Sequence, residues 1–167
     1  NGVEAIEAAG GHLVLTDQAF EIMPGVLSTG EVERKTDFER QGIGTYNLVD
    51  GVISGDTIID DISIAINVKD SGLVVLSGCS HAGIINIVNH SKEITGVDEV
   101  ELVMGGFHLI EATDERISKT AQAFQELNVN TVVAGHCTGL KACAELARTL
   151  GDKFQLLQCG TSLTIPR

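Results

Sequence analysis

The stretch over residues 72–83 constrains the fold most, and it reads Gly-Leu-Val-Val-Leu-Ser-Gly-Cys-Ser-His-Ala-Gly. An apolar run over residues 73–76 predicts a buried strand, which stops at Gly78 and is followed by His81. A helical pattern of apolar residues begins directly afterwards. In open α/β sheets, ligands bind in the crevice beyond the carboxyl ends of the strands. The stretch therefore predicts an α/β fold in which His81 lies at a binding edge.

Two later segments repeat the order of apolar strand, glycine and histidine. Residues 100–108 end at His108, and residues 131–139 contain His136. Because the ends of neighbouring strands lie close together, we expect the three histidines to converge. Catalytic zinc sites commonly take three protein ligands and a water molecule. His81 and His136 are therefore candidate metal ligands, and His108 is a candidate metal ligand or a catalytic residue that contacts substrate. His12 and His90 lack this setting and are interpreted as structural.

The order of the remaining patterns predicts one domain over residues 1–167. The first half indicates β-hairpins, and from Gly78 onward helical and strand patterns alternate. We expect a mixed β-sheet with helices on one face. The predicted strands are 12–16, 20–24, 25–30, 62–68, 73–76, 100–104, 131–134, 154–158 and 162–165, and the predicted helices are 82–90, 115–127 and 140–150, with Leu140, Cys143, Ala147 and Leu150 on one face of the last.

Charge and composition exclude several classes of partner. The 167 residues carry a formal net charge of −12 with only 11 Lys and Arg, whereas a nucleic-acid-binding protein presents a basic surface. No apolar run approaches the roughly 18 residues of a membrane span, and the amino terminus lacks the pattern of a signal peptide. We therefore expect a cytoplasmic protein with neither nucleic acid nor a membrane as partner.

Several other polar residues allow two interpretations. Cys79 and Cys137 lie within two residues of a strand-end histidine, and they are either small filler residues, which we favour, or ligands of a soft metal or nucleophiles. Asp60 and Asp61 precede a strand, where a turn or cap is favoured over metal ligation or acid–base chemistry. The charged segment 31–44, which includes Arg34 and Glu39, is predicted to be a solvated loop.

Six segments together resemble the metallo-β-lactamase superfamily, in the branch related to the dihydropteroate-synthase-like proteins of the methanopterin pathway. They are residues 24–32, 37–39, 60–61, 78–83 (GCSHAG), 105–109 (GGFHL) and 135–139 (GHCTG). The resemblance implies an α/β fold that forms part of an αββα sandwich. It also implies a divalent metal, with zinc expected first and iron, manganese or magnesium as alternatives, held by His81, His136 and His108.

Members of this superfamily carry a His-x-His-x-Asp-His motif that supplies most metal ligands, and this sequence lacks it. The chain therefore resembles a carboxyl-terminal portion, whose amino-terminal half would lie in the same or a second chain. The resemblance implies a metal-dependent enzyme, either hydrolase-like or pterin-transferring, with a small anionic or pterin-like substrate. The alternatives are a non-catalytic assembly module, which could form a homo-oligomer, and a thiol redox sensor that uses Cys79 and Cys137.

Overall fold

The computed structural model describes residues 2–39 and 45–165. Within these ranges, the strands are β1 (Phe20–Met23), β2 (Val26–Ser28), β3 (Tyr46–Val49), β4 (Val52–Gly55), β5 (Ile64–Val68), β6 (Gly72–Ser77), β7 (Val100–Gly106), β8 (Thr131–Gly135) and β9 (Phe154–Leu156). The α-helices are α1 (Val3–Ala8), α2 (Ile84–Thr95), α3 (Asp114–Glu126) and α4 (Leu140–Leu150). Among the described residues, none of the helices has the length and apolar character needed to cross a membrane.

The strands form one mixed sheet and a separate hairpin. The sheet has the order β1-β2-β5-β6-β7-β8-β9, and β3 pairs only with β4 in the part of the chain that is described. Pairing is antiparallel from β1 to β6 and parallel from β6 to β9. The parallel part follows from the helices, because a chain that returns to start a parallel strand needs a long crossover connection. The predicted mixed α/β class is confirmed.

Helices cover one face of this sheet. The side chains of Leu73 and Val75 on β6 point into a core that also includes Ile87 of α2 and Phe124 of α3, and all four are fully buried. Val74 lies between Leu73 and Val75 in sequence, but its side chain belongs to a smaller cluster on the other face. This alternation arises because successive side chains of a strand point to opposite faces.

Two strands predicted from the sequence are wrong. Residues 12–16 form no regular element, and Leu15 is 82% exposed, because no neighbouring strand in the described ranges supplies its backbone with partners. Residues 162–165 are also irregular, although Leu163 and Ile165 pack against the second face of the sheet. The predicted face of α4 is wrong at two of its four residues, since Leu140 is 85% exposed and Ala147 is also exposed, whereas Ala142 and Leu146 are fully buried.

The prediction that residues 31–44 form a solvated loop fails at Glu39, which is 1% exposed. Its two carboxylate oxygens accept hydrogen bonds from the backbone N–H groups of Ile85 (3.0 Å) and Asn86 (2.9 Å). These donors belong to the first turn of α2, where N–H groups have no partner within the helix. A Cβ atom at Gly83 would collide with this carboxylate, so the glycine permits the contact. Residues 40–44 of the predicted loop lie outside the described residues.

Candidate functional site

The carboxyl ends of β6, β7 and β8 lie side by side. Ser77 of β6 is in register with Gly105 of β7, and Gly106 is in register with Gly135 of β8. The three histidine-bearing segments follow directly after these strand ends. The structure therefore brings them to one edge of the sheet, the place where ligands bind in open α/β sheets.

His81 and His108 form a ring pair at this edge. Their ring centroids are 4.4 Å apart, with the planes tilted by 55°. The Nδ1 atom of each ring is buried and has no hydrogen-bond partner among the described residues. Burial lowers the pKa of His108, and the nearby His81 and Arg116 lower it further. His108 is thereby favoured as neutral imidazole, the form that binds metals.

His136 has a different set of neighbours. Its Nε2 lies 3.2 Å from the Sγ of Cys79, and the Sγ of Cys137 completes a group whose three possible donor atoms all lie within 4.8 Å of one another. The backbone N–H of His108 donates to the Sγ of Cys137 (3.3 Å), which connects this group to the ring pair through the β7 segment. The sequence favoured filler roles for both cysteines and left ligation of a soft metal as an alternative, and this grouping with His136 is compatible with that alternative.

The thiol of Cys137 does not have the property that a redox sensor needs. Burial, assisted by the adjacent Cys79, raises the pKa of the Cys137 thiol to about 11. Reactive cysteines are recognised by a lowered pKa, because the thiolate is the reacting species. In the absence of a bound cation, this raised pKa disfavours the thiolate that the redox alternative needs at Cys137.

Two side chains that are distant in sequence hold the peptide of His81. Asp61 Oδ2 accepts hydrogen bonds from the N–H groups of His81 (2.7 Å) and Ala82 (3.4 Å). Arg34 Nη2 donates to the carbonyl oxygen of His81 (2.9 Å) and also to that of Thr57. Asp61 thus binds the backbone of a segment 20 residues away, a contact that differs from the local turn or cap favoured from the sequence. Arg34, predicted to lie in a solvated loop, was missed, because nothing in its local sequence points to a residue 47 positions away.

Each of the three strand ends is followed by a residue in a strained backbone conformation. Ser80, His108 and His136 have φ angles of 61°, 43° and 52°, which lie in the left-handed region. This conformation costs a non-glycine residue roughly 1–2 kcal/mol, and such residues cluster at functional sites. Ser80 compensates by donating its hydroxyl hydrogen to the carbonyl of Gly106 (2.6 Å). Histidine adopts this conformation more often than most non-glycine residues, but the sequence does not show which histidine will do so.

Close packing also requires glycine at position 106. A Cβ atom there would lie 2.8 Å from the Sγ of Cys137 and 2.9 Å from the Cδ2 of His136. Real Cβ contacts are not this short, so a larger residue would displace the imidazole or the thiol. The glycine of the GGFHL segment therefore allows β7 to approach the end of β8.

The donors at this edge fit a divalent metal. The buried Nδ1 atoms of His81 and His108 lack partners among the described residues, as expected of atoms that bind a ligand. Imidazole and thiol groups are the donors that zinc prefers. The ring pair of His81 and His108 thus offers nitrogen ligands. The group of Cys79, His136 and Cys137 offers sulfur together with nitrogen.

Comparisons with known proteins agree with this fold. No family model matches the chain. It is 41% identical over 160 residues to a 7,8-dihydropterin-6-methyl-4-(β-D-ribofuranosyl)-aminobenzene-5′-phosphate synthase of Methanocaldococcus jannaschii, covering 94% of this chain and 54% of the synthase. It is also 27% identical over 136 residues to an uncharacterized protein of that organism, covering 81% of this chain and 49% of the relative.

Among solved structures, a metal-dependent hydrolase of the β-lactamase superfamily matches with a TM-score of 0.80 and 30% identity, covering 94% of this chain and 59% of that chain. The chain thus spans a little over half the length of the synthase and of the hydrolase. Both similarities agree with the resemblance that the GCSHAG, GGFHL and GHCTG segments carry. The chain belongs to the metallo-β-lactamase superfamily, in the branch related to the methanopterin-pathway synthase.

Proposed function

We propose that this chain contributes part of the active site of a metal-dependent enzyme that joins a pterin-type substrate to an aminobenzene-type acceptor. The observation that carries the proposal is the ring pair of His81 and His108, with two buried Nδ1 atoms that lack partners among the described residues. Buried polar atoms in native proteins are nearly always satisfied, so a ligand is the simplest explanation for two adjacent exceptions.

His81 and His136 hold the metal in this proposal, and His108 completes the site or orients an anionic part of the substrate. When bound, a divalent metal supplies positive charge that polarises a substrate oxygen and stabilises a departing anion such as pyrophosphate. Asp61 and Arg34 fix the peptide of His81, so that its ring direction is set before substrate arrives. Arg116, whose charge acts on His108, adds positive potential for an anionic substrate in a chain of net charge −12.

Synthase chemistry is preferred because the synthase is 41% identical to this chain. Hydrolysis is the second candidate, since the structural neighbour is a metal-dependent hydrolase at 30% identity. The two reactions are separated by supplying the purified protein with an activated dihydropterin, with and without the ribofuranosyl-aminobenzene phosphate acceptor. Acceptor-dependent release of pyrophosphate supports the synthase, and acceptor-independent release supports the hydrolase.

Metal content tests the proposal directly. We expect a stoichiometric divalent metal in the purified protein, with zinc as the first candidate, by elemental analysis. His81→Ala and His136→Ala should each lower metal affinity by at least about tenfold, since even the residues that orient metal ligands are worth 10–100-fold. His108→Ala should do the same if His108 is a ligand, and should leave metal affinity unchanged if it contacts the substrate. His12→Ala is the matched control, because His12 is exposed in an irregular segment.

A folded protein that takes up no divalent metal would contradict the proposal. That result would instead support the non-catalytic assembly module, with pairing through the exposed apolar residues of β1 and of the β3–β4 hairpin. Far-ultraviolet circular dichroism of each variant shows whether loss of metal reflects loss of fold.

A further inference from the structure

We infer that Cys79, His136 and Cys137 form a sulfur-rich metal site, with the two cysteines as thiolate ligands. The inference rests on the proposed function only in placing a metal at this edge of the sheet. It deepens that proposal by adding two cysteine ligands to a site otherwise assigned to histidines.

The distances between the donor atoms suit a tetrahedral ion. Zinc binds sulfur at about 2.3 Å and imidazole nitrogen at about 2.0–2.1 Å, so neighbouring sulfur and nitrogen ligands lie about 3.6 Å apart and two sulfurs about 3.8 Å apart. In the structure, Cys79 Sγ is 3.2 Å from His136 Nε2, and the three donor atoms lie within 4.8 Å of one another. Shifts of a few tenths of an ångström to about 1 Å would bring them to ligand positions.

The surrounding backbone is arranged around this group. The N–H of His108 donates to the Sγ of Cys137, and such N–H donors stabilise a sulfur that carries negative charge. His136 is held at a strained φ of 52°, and Gly106 leaves space for its ring and for the Cys137 sulfur.

The donor set predicts the kind of metal. Thiolate ligands favour zinc and other soft ions over magnesium and manganese, which prefer oxygen donors. Two thiolates and one neutral imidazole neutralise the two positive charges of the ion, and three protein ligands leave a fourth position open. Binding releases two protons, one from each thiol, since both cysteines are free and thiols must lose a proton to bind.

The experiment uses Co²⁺ as a spectroscopic probe in the purified, reduced protein. A sulfur ligand produces a near-ultraviolet charge-transfer absorption, which histidine ligands alone do not produce. We expect this absorption in the wild type, together with release of about two protons for each bound ion, measured with a pH indicator. Cys79→Ser and Cys137→Ser should each weaken the absorption and raise the dissociation constant at least about tenfold. Cys159→Ser, at an exposed cysteine, is the control and should change neither.

Several outcomes would overturn the inference while the proposed function stands. In one such outcome, the wild type binds stoichiometric cobalt without charge-transfer absorption. Cobalt binding is then lost in His81→Ala but retained in both cysteine variants. Another is a disulfide between Cys79 and Cys137 that persists in protein purified with reductant. It would be detected as two fewer free thiols than the four cysteines of the sequence when the denatured protein is titrated. Conversely, absorption that disappears in the cysteine variants but persists in His81→Ala and His108→Ala supports the sulfur-rich site and contradicts the histidine pair as metal ligands.

Discussion

The two faces of the sheet differ in how completely this chain covers them. On the helix-covered face, Val75, Val103 and Phe124 are fully buried within one continuous core. On the opposite face, a smaller cluster around Val74 is covered by partly buried residues such as Leu163 from the irregular carboxyl-terminal segment. The same strands build both faces, so the difference comes from what packs on them. Helices that follow β6, β7 and β8 pack on one face, whereas in the described part of the chain the other face is covered by the irregular segment that carries Leu163 and Ile165.

The difference between the faces indicates that the helix-covered face contributes more to the free energy of unfolding. Burial of apolar area contributes about 25 cal/mol per Å², and the cost of removing a side chain also depends on how well its surroundings can collapse. Substitutions on the helix-covered face should therefore cost more than matched substitutions on the other face. The candidate site lies at the edge of the sheet that is formed by the carboxyl ends of β6, β7 and β8, next to both faces.

The largest expected effect is at Phe124, which is fully buried and packs against Phe107 with ring centroids 5.5 Å apart. Phe124→Ala should lower the free energy of unfolding by about 3–5 kcal/mol, because it removes a large side chain and leaves a cavity. Urea denaturation followed by circular dichroism measures the loss. Leu163→Ala, on the opposite face, is the comparison and should cost about 1 kcal/mol. A larger loss at Leu163 than at Phe124 would reverse the difference between the faces.

Two neighbouring valines on β6 allow a more closely matched comparison of the two faces. Val74 and Val75 are neighbours on β6 with 5% and 0% exposure, and they point to opposite faces. Val75→Ala should cost about 2 kcal/mol and Val74→Ala about 1 kcal/mol, since the looser cluster around Val74 can close part of the cavity. Chemistry, strand and burial are nearly the same in both, so unfolding in urea reports the difference between the faces. Equal losses would show that the two clusters are equally rigid.

Much of the fold could be predicted from the sequence where local pattern and tertiary structure agree. The strands after Gly72 and the helices between them were visible because each carries its own apolar periodicity. Residues 12–16 and 162–165 have equally apolar patterns, yet neither is a strand. A strand needs a partner, and the identity of the partner is not encoded in a local pattern.

The site was predictable to a lesser extent. Strand-end histidines identified the edge, because topology alone brings the ends of parallel strands together. The support of His81 by Arg34 and the grouping of Cys79 with His136 depend on contacts across 47 and 57 positions. Such contacts follow from packing of the whole chain. The left-handed conformations of Ser80, His108 and His136 were equally hidden, since few non-glycine residues adopt them and no local pattern marks which ones do.

The smallest expected effect concerns Glu39, the buried carboxylate on the helix-covered side. Burial raises the pKa of Glu39 above its ordinary value, opposed in part by the hydrogen bonds from Ile85 and Asn86 and by the charge of Arg116. A folded-state pKa above that of the unfolded chain means that the folded protein holds the proton more tightly. The stability that this provides is fully present below the unfolded pKa and is lost as the pH rises through the folded pKa.

Glu39→Gln removes this titration and keeps the size of the side chain. At pH 4 the variant should be less stable than the wild type by about 1 kcal/mol, because the amide nitrogen cannot accept one of the two backbone N–H bonds. As the pH rises from 4 to 7, the wild type should lose stability relative to the variant, so the deficit should shrink or reverse. Urea unfolding at several pH values measures both curves, and Glu33→Gln at an exposed carboxylate is the control. A deficit that grows with pH would mean that the hydrogen bonds to α2 outweigh burial and hold the Glu39 carboxylate ionised.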